Sequence, residues 1–439
     1  MGRAFSWPLD KMSALLTDLY ELTMAAGYFW AGKHRDLATF ELSVRRLPAN
    51  RDFIIVAGLR QALEYLANLR FTSGEIAYLR GLPQFGNAST EFFDYLAGFR
   101  FTGNVFAVPE GTPMFAGEPI LTIQAPLIEA QIPETYLLSE ITFQTLIATK
   151  ASRVVSSAQG RPVYEFGTRR AHSPEAGVLG ARASYIGGCA GTSNTLAGYR
   201  YGIPVVGTAA HSWVMSFESE LEAFRRLQQF FGEGVVQLID TYDTLEGARR
   251  VISLGPPLLG VRIDSGDFVA LSREVRSLLD QAGMRHVKIM LSGDLNEDRI
   301  ARLLADGARV DSFGVGTELA TSADAPSMGA IYKIVELESN GVSRATAKYS
   351  AEKTSLPGAK QVFRYSDRDL VGCSGECACG AEALQKPVMV KGEIVCRRTL
   401  EQSRERARQH LAAIDPASHL VEYSHDLLEL ARKVREEVR

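Results

Sequence analysis

One event recurs six times along this chain and limits how it can fold: a short apolar run ends in polar residues and gives way to a helical pattern. The clearest case is Gly260-Val-Arg-Ile-Asp-Ser-Gly-Asp267 with its flanks. Leu258, Leu259, Val261 and Ile263 form the apolar part of a buried strand. Arg262, Asp264, Ser265 and Asp267 take over at its end, and Phe268, Leu271, Val275, Leu278 and Leu279 follow at helical spacing. Polar groups are thus delivered to the carboxyl edge of a sheet, where α/β proteins collect their chemistry. Residues 162–167 run into Thr168, Arg169 and Arg170, and residues 203–207 into Thr208 and His211. Residues 235–239 run into Asp240, Thr241 and Asp243, 287–291 into Ser292, Gly293 and Asp294, and 312–316 into Thr317. Helix-length amphipathic stretches lie between, the spacing of crossover units with parallel strands. Six such units predict an α/β fold: a closed or nearly closed α/β barrel over residues 151–334 with one shared mouth.

The flanks read differently. Residues 11–30 carry a helical apolar face with Asp18 and Tyr20 on it, residues 38–44 alternate as a half-wet strand, and 53–69 look helical. Turn signals crowd residues 101–125, and a helix over 133–157 leads into the barrel. After Thr317, strands at 331–337 and 342–349 meet at the turn Asn340-Gly341. A basic, turn-rich stretch from Lys348 through Lys353 and Lys360 to Arg364 reads as a solvated loop or a phosphate-binding one. Residues 398–437 read as two charged helices broken at Asp415-Pro416. With no long linker, residues 1–150 and 335–439 are expected to form a second, discontinuous, mainly antiparallel α/β domain.

Lys+Arg 48 against Asp+Glu 51 in 439 residues leaves the chain close to neutral, which argues against nucleic acid or an anionic membrane as partner. No apolar run approaches the ~20 residues of a membrane span. The N-terminus lacks a signal-peptide layout; Met1-Gly-Arg-Ala-Phe-Ser6 fits the loose myristoylation pattern, but no second membrane signal accompanies it. A cytoplasmic location is the expectation. Four of the five cysteines, Cys373, Cys377, Cys379 and Cys396, sit in one short segment, which suggests structural Zn²⁺ on thiolates or else four reduced thiols on a hairpin.

Gly314-Val-Gly-Thr317 can turn backbone N–H groups toward an anion, and late barrel strands often hold a phosphate. It is neither a dinucleotide fingerprint nor a Walker loop. Ser265-Gly-Asp267 and Ser292-Gly-Asp294 suit helix capping, with Ser as the cap. Capping does not explain Arg262 and Asp264, which share a strand face and, once buried, must pair with each other or with a ligand. His211 adds an imidazole. Guanidiniums and nests suit phosphates and carboxylates, and spare carboxylates suit Mg²⁺ on a diphosphate. The chemistry points to phosphorylated sugars.

In order along the chain, Thr17-Asp-Leu-Tyr20, Phe40-Glu-Leu with Arg45-Arg46-Leu-Pro48, Glu165-Phe-Gly-Thr-Arg-Arg170, Gly191-Thr-Ser-Asn194, Gly207-Thr-Ala-Ala-His-Ser212, Arg262-Ile-Asp-Ser-Gly-Asp267, Ser292-Gly-Asp294, Gly314-Val-Gly-Thr317 and Pro357-Gly-Ala-Lys360 resemble the nicotinate phosphoribosyltransferase family. The resemblance implies an irregular (β/α) barrel, a second α/β domain, and a head-to-tail homodimer with active sites at the subunit interface. It implies a reaction joining nicotinate to phosphoribosyl diphosphate, giving nicotinate mononucleotide and diphosphate, coupled to ATP hydrolysis, in NAD salvage. By position, Phe166 and the partner subunit's Tyr20 would sandwich the pyridine ring. Arg262 and Thr208 would face the nicotinate, and Arg169 the phosphates. Asp264, Gly293, Asp294, Gly316 and Thr317 would hold ribose and its 5-phosphate, with Asp18, Asp267, Ser292 and Gly314 also among the substrate-binding residues. His211 would take a phosphoryl group from ATP, and Arg262 and Asp264 would join it as catalytic residues. Related nicotinamide-specific enzymes carry an aspartate where this chain has Ser193-Asn194, which favours the acid as substrate. The alternatives are a quinolinate or nicotinamide phosphoribosyltransferase, or a phosphosugar-binding barrel that is not a transferase.

Overall fold

The structure is a computed structural model, and it describes residues 13–350 and 354–437. The acylation-like hexapeptide and Lys353 lie outside the described residues. The chain divides into two compact units: Leu146–Pro326, and the segment ending at Thr145 together with the one beginning at Ser327.

In Leu146–Pro326, six parallel strands lie in the spatial order Gly191–Thr192, Val163–Glu165, Ser312–Val315, Lys288–Ser292, Gly260–Ile263, Val236–Leu238. Their aliphatic residues are buried: Val261, Ile263, Ile289, Leu291, Phe313 and Val315 join one core with helix residues such as Val275 and Ile300. That explains near-continuous apolar runs instead of alternation. The helices between are capped by side chains. Asp243 caps Thr244–Leu254, Asp267 caps Phe268–Gln281, and Asn296 caps Glu297–Ala305. Capping by Ser265 and Ser292 is therefore corrected; Ser292 closes its strand instead.

Residues 203–207, expected as a strand, make a single bridge between Val205 and Thr192. Pro204 has no N–H to donate there and uses its carbonyl to accept from Thr192. Among the described residues no ladder joins this side of the sheet to Val236–Leu238, so the sheet is open there. A cavity of about 440 Å³ lies at that opening, lined by Thr208 and Trp213 on one side and Phe231, Val235 and Val236 on the other.

The other unit carries a seven-stranded sheet, antiparallel throughout, with Leu37–Val44 between Ala330–Ser339 and Pro119–Pro126 at its centre. A four-stranded sheet is built from Glu382–Ala383, Lys360–Arg364, Arg368–Cys373 and Leu420–Tyr423. Asn340 and Gly341 make the expected turn, both with positive φ (54° and 76°). The first helix runs Leu19–Trp30, later than the pattern suggested. The helix expected over 53–69 is Leu59–Asn68, because Ile54–Ile55 pair as a strand with Pro113–Met114.

Charged side chains are buried inside this unit. Arg364 grips Asp369 through Nε–Oδ1 (2.9 Å) and Nη2–Oδ2 (2.5 Å), and His419 Nε2 lies 3.1 Å from Asp369 Oδ1. Burial, with Asp369 alongside, pushes the fully enclosed Glu118 carboxyl well up.

The four cysteines are free thiols with no disulfide among them. Cys377 and Cys379 are exposed, Cys373 and Cys396 are half-buried, and among the described residues no group of three or more His, Cys, Asp or Glu is placed to hold a metal. Glu376 does the tying instead, accepting from the Cys373 N–H (2.5 Å) and the Ser424 hydroxyl (2.7 Å). Burial and Glu376 push the Cys373 thiol up to about 11. No helix among the described residues is long and apolar enough to cross a membrane.

Candidate active site

Arg262 organises the carboxyl edge of the parallel sheet. Its Nε donates to Ser292 Oγ (2.7 Å), Nη1 to Thr208 Oγ1 (2.9 Å) and Nη2 to Asp264 Oδ1 (2.5 Å). Ser292 Oγ also donates to Asp264 Oδ1 (2.5 Å). Three neighbouring segments are thereby fixed on one guanidinium, and its planar fork is what makes this possible. Burial pushes the Asp264 carboxyl up. The Ser292 hydroxyl and the Arg262 guanidinium outweigh it and hold Asp264 below the usual carboxylate range.

A second carboxylate supports the first. Asp240 Oδ2 accepts from the Asp264 N–H and the Ser265 hydroxyl, both at 2.8 Å. Its Oδ1 is buried without a partner. Asp240 belongs to the strand-end pattern yet was absent from the expected site residues.

Phe166 lies beside this cluster, its ring centroid 5.7 Å from Arg262 Cζ and stacked loosely on Tyr164. Gly314 makes room for it, since a Cβ there would meet the ring at 2.6 Å. Gly293, at φ +94°, lets its loop pass the Asp264 carbonyl, where a side chain would collide. Asp294 follows with φ +46° and is exposed. Gly316 precedes the one-turn helix Thr317–Ala320, and Thr317 is exposed beside it. His211 opens the short helix His211–Met215, and its Nδ1 is 3.2 Å from Thr241 Oγ1. Arg169 is exposed on the turn Thr168–Arg170.

Two expected residues have evident structural tasks. Asp267 accepts from the Val269 and Ala270 N–H groups as a helix cap. Asn194 is 6% exposed; its Oδ1 caps Thr195–Tyr201 and its Nδ2 donates to Thr168 Oγ1.

Asp18 and Tyr20 belong to the other unit. Asp18 is exposed and accepts from Thr135 Oγ1 (3.1 Å). Tyr20 keeps 47% of its surface exposed. Burial, then the Glu134 and Glu21 carboxylates, push its hydroxyl pKa up, so it stays a neutral phenol. The same unit holds a cavity of about 170 Å³ lined by Arg45, Lys333 and Lys360. Lys360 is occupied there by Glu41 (2.7 Å) and the Leu356 and Gly358 carbonyls, whereas Arg45 Nε is buried without a partner. The basic stretch is thus partly a self-bonded loop.

Comparison with known proteins matches these units to one family. Residues 15–142 fit the nicotinate phosphoribosyltransferase N-terminal domain, and residues 162–371 the nicotinate phosphoribosyltransferase family. The chain is 44% identical over 420 residues to nicotinate phosphoribosyltransferase pncB2 of Mycobacterium tuberculosis, covering 93% of this chain and 89% of that one. It is 44% identical over 364 residues to the Bacillus subtilis nicotinate phosphoribosyltransferase, covering 81% and 74%. The crystal structure of human nicotinic acid phosphoribosyltransferase superposes with a TM-score of 0.83 at 27% identity, over 95% of this chain and 99% of that one. With the motifs in order and both units matched, the chain belongs to the nicotinate phosphoribosyltransferase family.

Proposed function

We propose that this chain joins nicotinate to phosphoribosyl diphosphate, releasing nicotinate mononucleotide and diphosphate, in NAD salvage. The observation that carries the reading is Arg262, bonded to Thr208, Ser292 and Asp264 next to the Phe166 ring. An aromatic face with a cation at its edge suits a flat pyridine bearing a carboxylate. When the C1–O bond to diphosphate breaks, the sugar becomes cationic at C1. An Asp264 held ionised can stabilise that charge as the pyridine nitrogen closes in. The turns at Gly293-Asp294 and Gly316-Thr317 offer N–H groups for the 5-phosphate, and Arg169 faces the phosphates.

Mg²⁺ fits this donor set. It keeps most of its waters and typically takes one or two carboxylates besides substrate phosphates, and Asp240 retains one buried oxygen without a partner. Bound there with the diphosphate, it would neutralise the leaving group.

ATP coupling runs through His211 in this reading. With Nδ1 held by Thr241, Nε2 is the nitrogen that attacks the γ-phosphorus; an N–P bond forms, the P–O bond breaks and ADP leaves. The active assembly is a homodimer in which the partner subunit's Tyr20 closes on the pyridine opposite Phe166. The parallel sheet is best read as an irregular barrel, left open beside Val205.

Incubation with phosphoribosyl diphosphate and labelled nicotinate, nicotinamide or quinolinate, each with and without ATP, tests the assignment. Product from nicotinate, increased by ATP, is the expected result; product from quinolinate alone would overturn it. His211→Ala should lose the ATP stimulation and keep slow ATP-independent turnover. Equal stimulation in variant and parent would rule out the phosphohistidine.

A further inference from the structure

Behind the two phosphate-facing turns lies a group of five charged side chains that the reaction above does not use. Lys150, 1% exposed on the helix Glu134–Ser157, places its Nζ 2.6 Å from Glu297, 2.8 Å from Asp324 and 3.6 Å from Glu318. Arg153, one turn on, lies 3.3 Å from both Glu297 and Asp324. The carboxylates come from different pieces of chain. Glu297 opens the helix that follows Asp294, Glu318 adjoins Thr317, and Asp324 lies beyond the one-turn helix after Thr317. One ammonium group therefore holds the segments behind both turns.

Packing alone gives no reason for a lysine here. Its neighbours along the helix, Ile147, Ala148, Ala151 and Val154, are buried and apolar. Enclosing an ammonium costs several kcal/mol unless it is well paired, and apolar residues of similar volume often serve equally well. Burial alone would pull the Lys150 pKa down; Asp324 and Glu297 outweigh it and keep the cation. What an apolar residue could not do is bond to two loops at once.

We propose that Lys150 is a positioning residue: through Glu297, Asp324 and Glu318 it sets the spacing between the turns at 292–294 and 314–317, and so the fit of the sugar 5-phosphate. It touches no substrate atom. The inference rests on the transferase reading, in which those turns hold that phosphate. A loosened pair of anchors matters because small misplacements of binding groups cost disproportionately in affinity and rate.

Three variants test it: Lys150→Met, Lys150→Met with Glu297→Gln, and Lys150→Arg. The double variant removes a carboxylate charge that the single one would strand, so it carries the measurement should Lys150→Met fail to fold. Glu318→Gln, at a partly exposed position, gives a milder version on an intact lysine. For the methionine variants the KM for phosphoribosyl diphosphate should rise about tenfold or more, while kcat and the KM for nicotinate stay within about threefold. Affinity for ribose 5-phosphate, measured by calorimetry without turnover, should fall in parallel. Lys150→Arg should recover part of both, and Glu318→Gln should shift both in the same direction by less. Variants that melt at lower temperature yet keep both quantities within about twofold of the parent would reduce Lys150 to a structural residue. A parent that neither turns over phosphoribosyl diphosphate nor binds ribose 5-phosphate would overturn the transferase reading itself, and this inference with it.

Discussion

The two units use the same charged residue types in opposite ways. In Leu146–Pro326, Arg262 and Asp264 sit half-buried at the open edge of a parallel sheet. Their pairing leaves a neighbouring surface for a ligand. In the other unit, Arg364 and Asp369 face each other across an antiparallel pair of strands in a mixed sheet, enclosed, and bond mainly to each other. Parallel strands all end on one side, so polar residues that follow them converge. Antiparallel strands end alternately on both sides, and charges within them have only their neighbours to meet. An arginine–aspartate pair is therefore a site in one setting and a brace in the other.

The brace is most vulnerable at Arg364. Arg364→Met strands Asp369 in the interior, and removing one partner of a buried pair typically costs about 3–5 kcal/mol. A denaturant midpoint lowered accordingly is expected, with kinetic constants of the folded fraction close to the parent's. A variant of unchanged stability would show that the pair braces nothing. Arg262→Met should do the reverse. Loss of one preorganised donor group at a reacting centre costs about 10²–10³ in kcat. Its thermal unfolding should move far less than that of Arg364→Met, because Asp264 keeps the Ser292 hydroxyl and access to water. Equal losses of stability in the two variants would remove the distinction.

Some of the side-chain cluster at the strand ends was legible in the sequence, and several elements around it were not. The Arg262–Asp264 pair was legible because charged residues in an apolar strand demand a partner, whereas Thr208 and Ser292 were legible only as strand-end residues and not as its partners. The strand at Gly191–Thr192 was not legible, since two residues without an apolar run give no periodic signal. The start of the first helix was misplaced because leucines at 15 and 16 continue its pattern through a turn. Capping at the start of that helix was legible, but it was assigned to Ser265; Asp267 is the cap because its carboxylate reaches the Val269 and Ala270 N–H groups. Lys150 could not have been singled out: its three carboxylates lie 147 to 174 residues further on.

A weaker, pH-dependent contribution to the same bracing comes from His410. His410 is half-buried beside Arg406, with Glu382 Oε2 3.8 Å away. Burial first, and then the Arg406 charge, pull its pKa down to about 4. In the unfolded chain the imidazole titrates near its ordinary value of about 6.5. A depressed folded value means that the unfolded state binds the proton more readily. The stability contributed is thus whole above about pH 6.5 and is lost as pH falls toward 4. Glu382, whose own carboxyl is held low by Arg406 despite burial, adds a loss in the same direction but below the histidine's window. His410→Gln should therefore separate the two, since it removes only the upper part. Melting temperatures measured every half unit of pH should show the variant flatter than the parent between pH 6.5 and 4.5, by roughly 2–4 °C. Below pH 4.5 the two curves should fall together. If they already run parallel through the upper window, Arg406 and Glu382 act as a brace without any contribution from the imidazole.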